Sequence, residues 1–322
     1  MNQTEGTAGT APMDVCDLSV VIPLLDEEEN LHEIHRRLIA VLGDQLGLSF
    51  EIIFVDDGSR DASWSIIGAL HDEDSRVKGL RFSRNFGHQY ALKAGLDHAR
   101  GDAVVTMDCD LQHPPELVAE LVTQWRAGHE IVNTKKRATE GLGLVRRFIT
   151  RAGYAVINTV SDTPVIPGAA DFRLLDRKVV EHIRELKEGQ LLLRGIVNWL
   201  GFSATTVEFT AAKRFAGAAK YTYGQLLGLV TSGLMSFSTA PLRSAIYIGF
   251  AMSALAFAYA GYLIVRWMTV GIEVPGWLTT VLLIIVLGGM NLLVLGVIGE
   301  YVAKIYDALK NRPSYIVAER IQ

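Results

Sequence analysis

Cysteine is almost missing from this chain: only Cys16 and Cys109 occur in 322 residues. That excludes a disulfide scaffold and a structural zinc site built on cysteine pairs, and it predicts a cytosolic location for the soluble part. A basic surplus is missing as well. Against 35 Asp and Glu stand 31 Lys and Arg, a net charge of −4, which argues against nucleic acid as a partner. The opening stretch "MNQTEGTAGTAP" has neither a positive nor an apolar segment. Residues 1–16 are therefore expected to be a disordered tail and not a secretory signal. No internal repeat is present.

What the chain does have is apolar length. From Leu242 to about Arg266 it reads "LRSAIYIGFAMSALAFAYAGYLIVR", and from Trp277 to Ile298 "WLTTVLLIIVLGGMNLLVLGVI". Each run matches the roughly 20 residues that cross a ~30 Å hydrocarbon core. The linker "MTVGIEVPG" is short, so residues 241–300 are expected to form a two-helix transmembrane hairpin with both flanks on one side. Arg243 stands at the start of the first run, Lys304, Lys310 and Arg312 follow the second, and the linker has no Lys or Arg. The positive-inside rule then places the N-terminal domain and the 301–322 tail in the cytoplasm of an inner or plasma membrane; Arg266, at the far end of the first run, can snorkel. Residues 216–240, with "YTYGQLLGLVTSGLMSFST", are apolar enough for an amphipathic helix on the bilayer surface. Small residues in "GYLIVRW" and "VLGGMNLLVLG" suit close helix contact and self-association through the hairpin.

Residues 17–215 alternate two patterns. "LSVVIPLL", "FEIIFVDDGS", "VKGLRFS" and "DAVVTMDCD" read as strands, and "ENLHEIHRRLIAVLGDQLG", "DASWSIIGALHDED" and "GHQYALKAGLDHAR" as helices. Such alternation predicts an α/β domain with a mostly parallel sheet covered on both faces. Ligands of open α/β sheets bind outside the carboxyl ends of the strands. Three of the four strands end there in acids: Asp26-Glu27-Glu28, Asp56-Asp57 and Asp108-Asp110.

Two carboxylates separated by one residue repel unless a cation lies between them. If "DAVVTMDCD" stays extended, Asp108 and Asp110 share a face and Cys109 points away. A hard divalent ion, Mg²⁺ or Mn²⁺, takes such oxygens and leaves other positions to phosphate or water; Gln112 can add an amide oxygen. His113 is read as a loop residue. An acid–base carboxylate pair, or a solvated Asp turn before Pro114, are the competing readings.

The segments "VVIPLLDEEENL", "IIFVDDGSRD", "RFSRNFGHQYALKAG", "DAVVTMDCDLQHPPE" and "DFRLLDRKVV" occur in this order. Together they resemble glycosyltransferase family 2, and more closely its membrane-anchored polyprenyl-phosphate enzymes, the bactoprenol glucosyltransferase and dolichyl-phosphate mannose synthase group. The resemblance spans residues 17–312. It implies a GT-A fold, a UDP- or GDP-linked sugar donor, a divalent cation, a polyprenyl phosphate acceptor and inversion at the anomeric carbon, with UDP-glucose the favoured donor. Pro23, Leu25 and Glu27 match the family segment that cups the nucleotide, although Leu25-Asp26 replaces the usual Tyr-Asn. Asp56 and Asp57 match the acids on base and ribose, Arg84 and Lys93 could face the donor phosphates, with a plain surface role as the other reading of Lys93, and Asp108, Asp110 and Gln112 match the metal and diphosphate site. Asp171 matches an acid near sugar or acceptor, orienting or base-like, and Arg173 is expected to pair with an acid nearby. Two anionic substrates call for cations. Arg137, Arg147 and Arg151 in "KKRATEGLGLVRRFITR", with Arg214 and Lys220 in "KRFAGAAKY", are the expected acceptor-phosphate ligands, the first three also counted as catalytic with Asp110 and Asp171. Ala219 stands where the family usually has Ser.

Two other readings compete. A processive polysaccharide synthase would carry Gln-x-x-Arg-Trp and more spans, whereas "QLLLRG" has the wrong spacing and lacks the Trp. A non-catalytic scaffold or flippase subunit would not need Asp57, Asp108 and Asp110 intact, and a transport path would place ionisable residues mid-span.

Overall fold

A computed structural model describes residues 16–136, 169–186, 193–210, 240–270, 276–310 and 312–322. The expected tail at 1–15, the basic segment from Arg137 to Arg151, Arg214, Lys220 and the surface helix up to residue 239 lie outside the described residues. The chain divides into two compact units. One comprises Met1–Leu144, Val165–Lys220 and Pro313–Gln322, the other Val145–Pro164 and Tyr221–Arg312.

In the first unit, runs rich in β-branched residues with few polar interruptions become largely buried strands, as sheets covered on both faces require. β1 (Leu18–Leu24), β2 (Phe50–Asp56), β3 (Val77–Phe82) and β4 (Ala103–Thr106) are parallel. β5 (Ile131–Lys136), β6 (Ala169–Asp176), β7 (Ala204–Phe209) and β8 (Val317–Ile321) complete the order β7-β5-β6-β4-β1-β2-β3-β8. β6 runs antiparallel to β4 and β5, and β8 antiparallel to β3, so the sheet is mixed. Helices α1 (Leu31–Ile39), α2 (Ser63–Glu73), α3 (His88–His98) and α4 (Val118–Arg126) fill the connections, and α5 (Arg177–Glu185) and α6 (Leu193–Trp199) follow β6. One apolar cluster gathers Leu31, Ile34 and Leu38 of α1 against Val20, Ile22 and Phe54; the other packs Leu92 and Leu96 of α3 against Val21, Ile53 and Val104. Alternate residues of β1 thus serve opposite faces.

Two expectations change. β4 stops at Thr106, so the paired acids lie beyond the strand in a turn, and strand alternation does not place them. Nor do the final residues form a free tail: β8 pairs along β3 from Gly79↔Ile321 to Phe82↔Val317.

The second unit contains α7 (Ala240–Val270) and α8 (Trp277–Leu309), which pack on each other. Both are long and apolar enough to cross a membrane, and within the structure their most apolar windows are unburied. α8 continues eleven residues' worth of sequence past the expected end, through "GEYVAKIYDAL" to Leu309. That segment contains neither Gly after its first position nor Pro, so nothing in it stops a helix.

Candidate active site

Strand order reverses between β1 and β4, where β1 lies between β2 and β4. This is the switch point at which α/β sheets take ligands. The loops after β1 and β2 are laced together there. Asp26, held at φ 55°, donates its N–H to Ser59 Oγ and accepts from the Arg60 N–H at 2.8 Å; the Glu27 N–H reaches Ser63 Oγ at 3.2 Å. Gly58 has φ 83°, and a Cβ on it would lie 2.9 Å from the Arg84 carbonyl carbon, so the third loop presses directly on the second.

Past β4 the chain turns sharply, with Leu111 at φ 58°. Cys109 and Leu111 point into the core, which turns Asp108, Asp110 and Gln112 outward to partial exposure. Burial, reinforced by the charges of Glu27, Asp110 and Asp108, pushes the Cys109 thiol well up, so it is an inert core residue. His113 is buried, stacked on Phe172 with ring centroids 5.1 Å apart. Its Nδ1 accepts the Asp108 N–H at 3.2 Å, and burial holds its pKa below the ordinary value. It therefore braces the turn as a neutral ring, as its reading as a loop residue allowed.

The antiparallel pairing Thr106↔Arg173 carries β6 back along β4 and sets Asp171 beside the Asp108 turn. Asp171 is buried; Thr106 Oγ1 donates to its carbonyl at 2.6 Å and Gln89 Nε2 to its Oδ2 at 3.3 Å. Arg173 pairs with Asp171 Oδ1 at 3.4 Å, as expected. His88, the first residue of α3, sits between the two acids, its Nε2 3.5 Å from both Asp108 Oδ1 and Asp171 Oδ2.

On the other side of β1, Asp56 is fully buried; its Oδ1 accepts the Ser59 N–H at 2.7 Å and its Oδ2 lies 3.4 Å from Arg81 Nε. Asp57 spends both oxygens on backbone, accepting the N–H groups of Phe86 and Gly87 at 2.7 and 2.9 Å. Burial raises its pKa against the pull of those bonds. Asp57 thus fastens the loop that carries Arg84, whose guanidinium lies 4.0 Å over the Phe86 ring. Pro23 is buried in β1 beyond Val21↔Thr106, the last β1–β4 pair, so its missing N–H costs no bond on that side; Leu25 is exposed at the rim. The Glu27 carboxylate accepts from Asn30 Nδ2 at 2.5 Å.

Lys93 needs correction. It is buried on α3 with its ammonium on Asp97 and 3.4 Å from the Arg184 carbonyl, so it packs two helices together and does not face a donor phosphate. Packing decided this, because α3 presses residues 91–96 against the sheet.

The profile of Glycosyl transferase family 2 matches residues 19–184, the span that holds every acid described above. The chain belongs to that family. It is a glycosyltransferase, and its helix-covered sheet followed by an apolar helix pair is the architecture the motifs implied. An uncharacterised glycosyltransferase of Synechocystis is 41% identical over 94% of this chain and 95% of its own. A prophage-derived bactoprenol glucosyl transferase of Shigella flexneri is 39% identical over 93% of this chain and 97% of its own. Among solved structures, the glucosyl-3-phosphoglycerate synthase of Mycobacterium tuberculosis, in complex with Mn²⁺, UDP-glucose and phosphoglyceric acid, matches with a TM-score of 0.45 and 20% identity over 69% of this chain and 79% of that one.

In this family 2 glycosyltransferase the structure gathers Glu27, Asp56, Asp57, Arg84, Asp108, Asp110, Gln112 and Asp171 at one sheet edge. Lys136, at the end of β5, lies near enough to His113 to act on its charge. Sequence reasoning passed over His88 and Gln89. They stand in the quoted "SRNFGHQYALKAG", directly after Gly87 at φ 111°, but their charge did not single them out as it did Arg84 and Lys93.

Proposed function

We propose that this enzyme transfers a hexose, glucose from UDP-glucose, onto polyprenyl phosphate at a membrane surface, with inversion and with a divalent cation. The observation that carries the reading is one chain holding a strand-end acid cluster and two apolar helices whose most apolar windows are unburied. Full-length similarity to proteins named bactoprenol glucosyl transferase supports it.

The residues fit a hard cation. Asp108 Oδ1 is buried with no hydrogen-bond partner, and its neighbours Asp110 and Gln112 offer oxygen. Among the described residues no three His, Cys, Asp or Glu side chains would hold a metal by themselves. Two carboxylates and an amide leave room in the coordination shell for a diphosphate and water. When bound, Mg²⁺ or Mn²⁺ offsets the charge that grows on the departing diphosphate.

An acceptor phosphate oxygen forms the new bond to the anomeric carbon as that carbon's bond to the diphosphate oxygen breaks, releasing the nucleoside diphosphate. The phosphate is already ionised at neutral pH, so no strong base is needed. Asp171, engaged by Gln89, His88 and Arg173, orients the sugar. Asp56 receives the base, and Asp57 holds the loop that presents Arg84. Arg137, Arg147, Arg151, Arg214 and Lys220 grip the acceptor phosphate in this reading.

Membranes bearing the enzyme, given radiolabelled nucleotide sugars and undecaprenyl phosphate, should make labelled lipid from UDP-glucose. EDTA should abolish it, and Asp108→Asn should lower it roughly 100-fold or more. Label in the lipid phase from no sugar, or undiminished synthesis in EDTA, would overturn the proposal.

A further inference from the structure

The C-terminal strand brings a charged group to the donor side of the sheet. In β8, Glu319 pairs in register with Arg81 of β3. Arg81 Nη1 donates to Glu319 Oε1 at 3.1 Å, and Trp64 Nε1 donates to Glu319 Oε2 at the same distance. The same guanidinium turns its Nε towards Asp56 Oδ2, 3.4 Å away, and its Nη2 towards the Ser59 carbonyl at 3.4 Å. Asp56 is fully buried and its Oδ2 has no hydrogen-bond partner. One arginine thus stands between the acid assigned to the base and a carboxylate from the far end of the chain.

The strand that delivers Glu319 is firmly held. Tyr315 stacks on Phe82 with centroids 5.2 Å apart and donates its hydroxyl to Asp97 at 2.9 Å, while the Ser83 N–H reaches the Ile316 carbonyl at 3.0 Å. Ile321 packs against the core.

We infer that Glu319 is a positioning residue for the donor site: it restrains Arg81, which in turn sets the Asp56 carboxylate that receives the nucleotide base. The inference rests on the assignment of Asp56 made above. Freed from Glu319, the guanidinium can close on Asp56 Oδ2 and occupy the atom the base needs, or swing out and leave that oxygen unsupported. Either motion weakens donor binding without touching the acceptor or the reacting carbon. The residues that follow α8 therefore belong to the donor-binding apparatus.

The test is UDP affinity of the full-length enzyme in detergent, by calorimetry, with KM and kcat for UDP-glucose alongside. Glu319→Gln should weaken UDP binding and raise the donor KM about 3- to 10-fold, with kcat and acceptor KM within twofold. Arg81→Lys, which keeps charge but loses the fork, should do the same. In an Asp56→Asn background, Glu319→Gln should add nothing, since its route is gone. A Glu319→Gln effect that is equal in both backgrounds marks a merely structural role and overturns the inference, as does unchanged UDP affinity in Glu319→Gln while Asp56→Asn weakens it. Unchanged affinity in Asp56→Asn itself overturns the assignment of Asp56, and the inference with it.

Discussion

The ammonium of Lys93 lies between α3 and α5, on Asp97 and the Arg184 carbonyl, several residues down the helix from the site. Charge made it a candidate for the donor phosphate; burial removed it. Lys93→Met should leave the donor KM unchanged and lower stability by roughly 2 kcal/mol, the cost of leaving a partly buried acid short of its partner, read as a shift in thermal midpoint. The acids were legible because they recur at the carboxyl ends of three strands, the edge where α/β sheets bind ligands. His88 was not. Its position between Asp108 and Asp171 depends on α3 starting where β6 returns along β4, a pairing of residues 67 positions apart in Thr106↔Arg173 that no local pattern records.

Strands were legible as elements, and their ends less so. β2 also carries charge at its opposite edge, away from the site. There Glu51 accepts from Ser19 Oγ at 2.6 Å, Lys78 Nζ at 2.5 Å and the Arg100 N–H at 2.6 Å. Burial alone would raise its carboxyl, but these donors outweigh burial and hold the pKa below its ordinary 4.5. The unfolded chain then takes up the proton first as pH falls, so this group's stabilisation is full above pH 4.5 and is lost as pH drops through the folded value. Glu51→Gln should cost about 1–3 kcal/mol at pH 7, and the gap from the parent enzyme should narrow below pH 4.5 in acid-melting curves. A gap that stayed constant would deny the linkage. The turn after β4 shows the limit of periodic reading. Alternation placed Asp108 and Asp110 on one face of a strand; what turns them outward is the burial of Cys109 and Leu111 and the brace from His113.

At the scale of the whole molecule, connectivity constrains topology. The chain leaves the sheet-bearing unit after Lys220 and re-enters it at Pro313, with α7 and α8 between. One sheet cannot stand on both sides of a bilayer, so a spanning pair must enter and leave on the same side. With a cytoplasmic catalytic unit, Gly276→Cys should react with an impermeant maleimide on intact cells, and Lys310→Cys only in inverted vesicles. The reverse pattern would invert the orientation expected from the positive-inside rule. The order of residues alone determined the α/β class, the apolar helix pair and the row of acids, because each follows from local periodicity and from the price of burying charge. Only the tertiary structure decided that the last strand joins the catalytic sheet and that Asp171 meets Asp108 through His88. It also decided that Lys93 belongs to the core. The reason is the same each time: strand pairing and side-chain burial are settled between residues far apart in sequence, where no short-range pattern reaches.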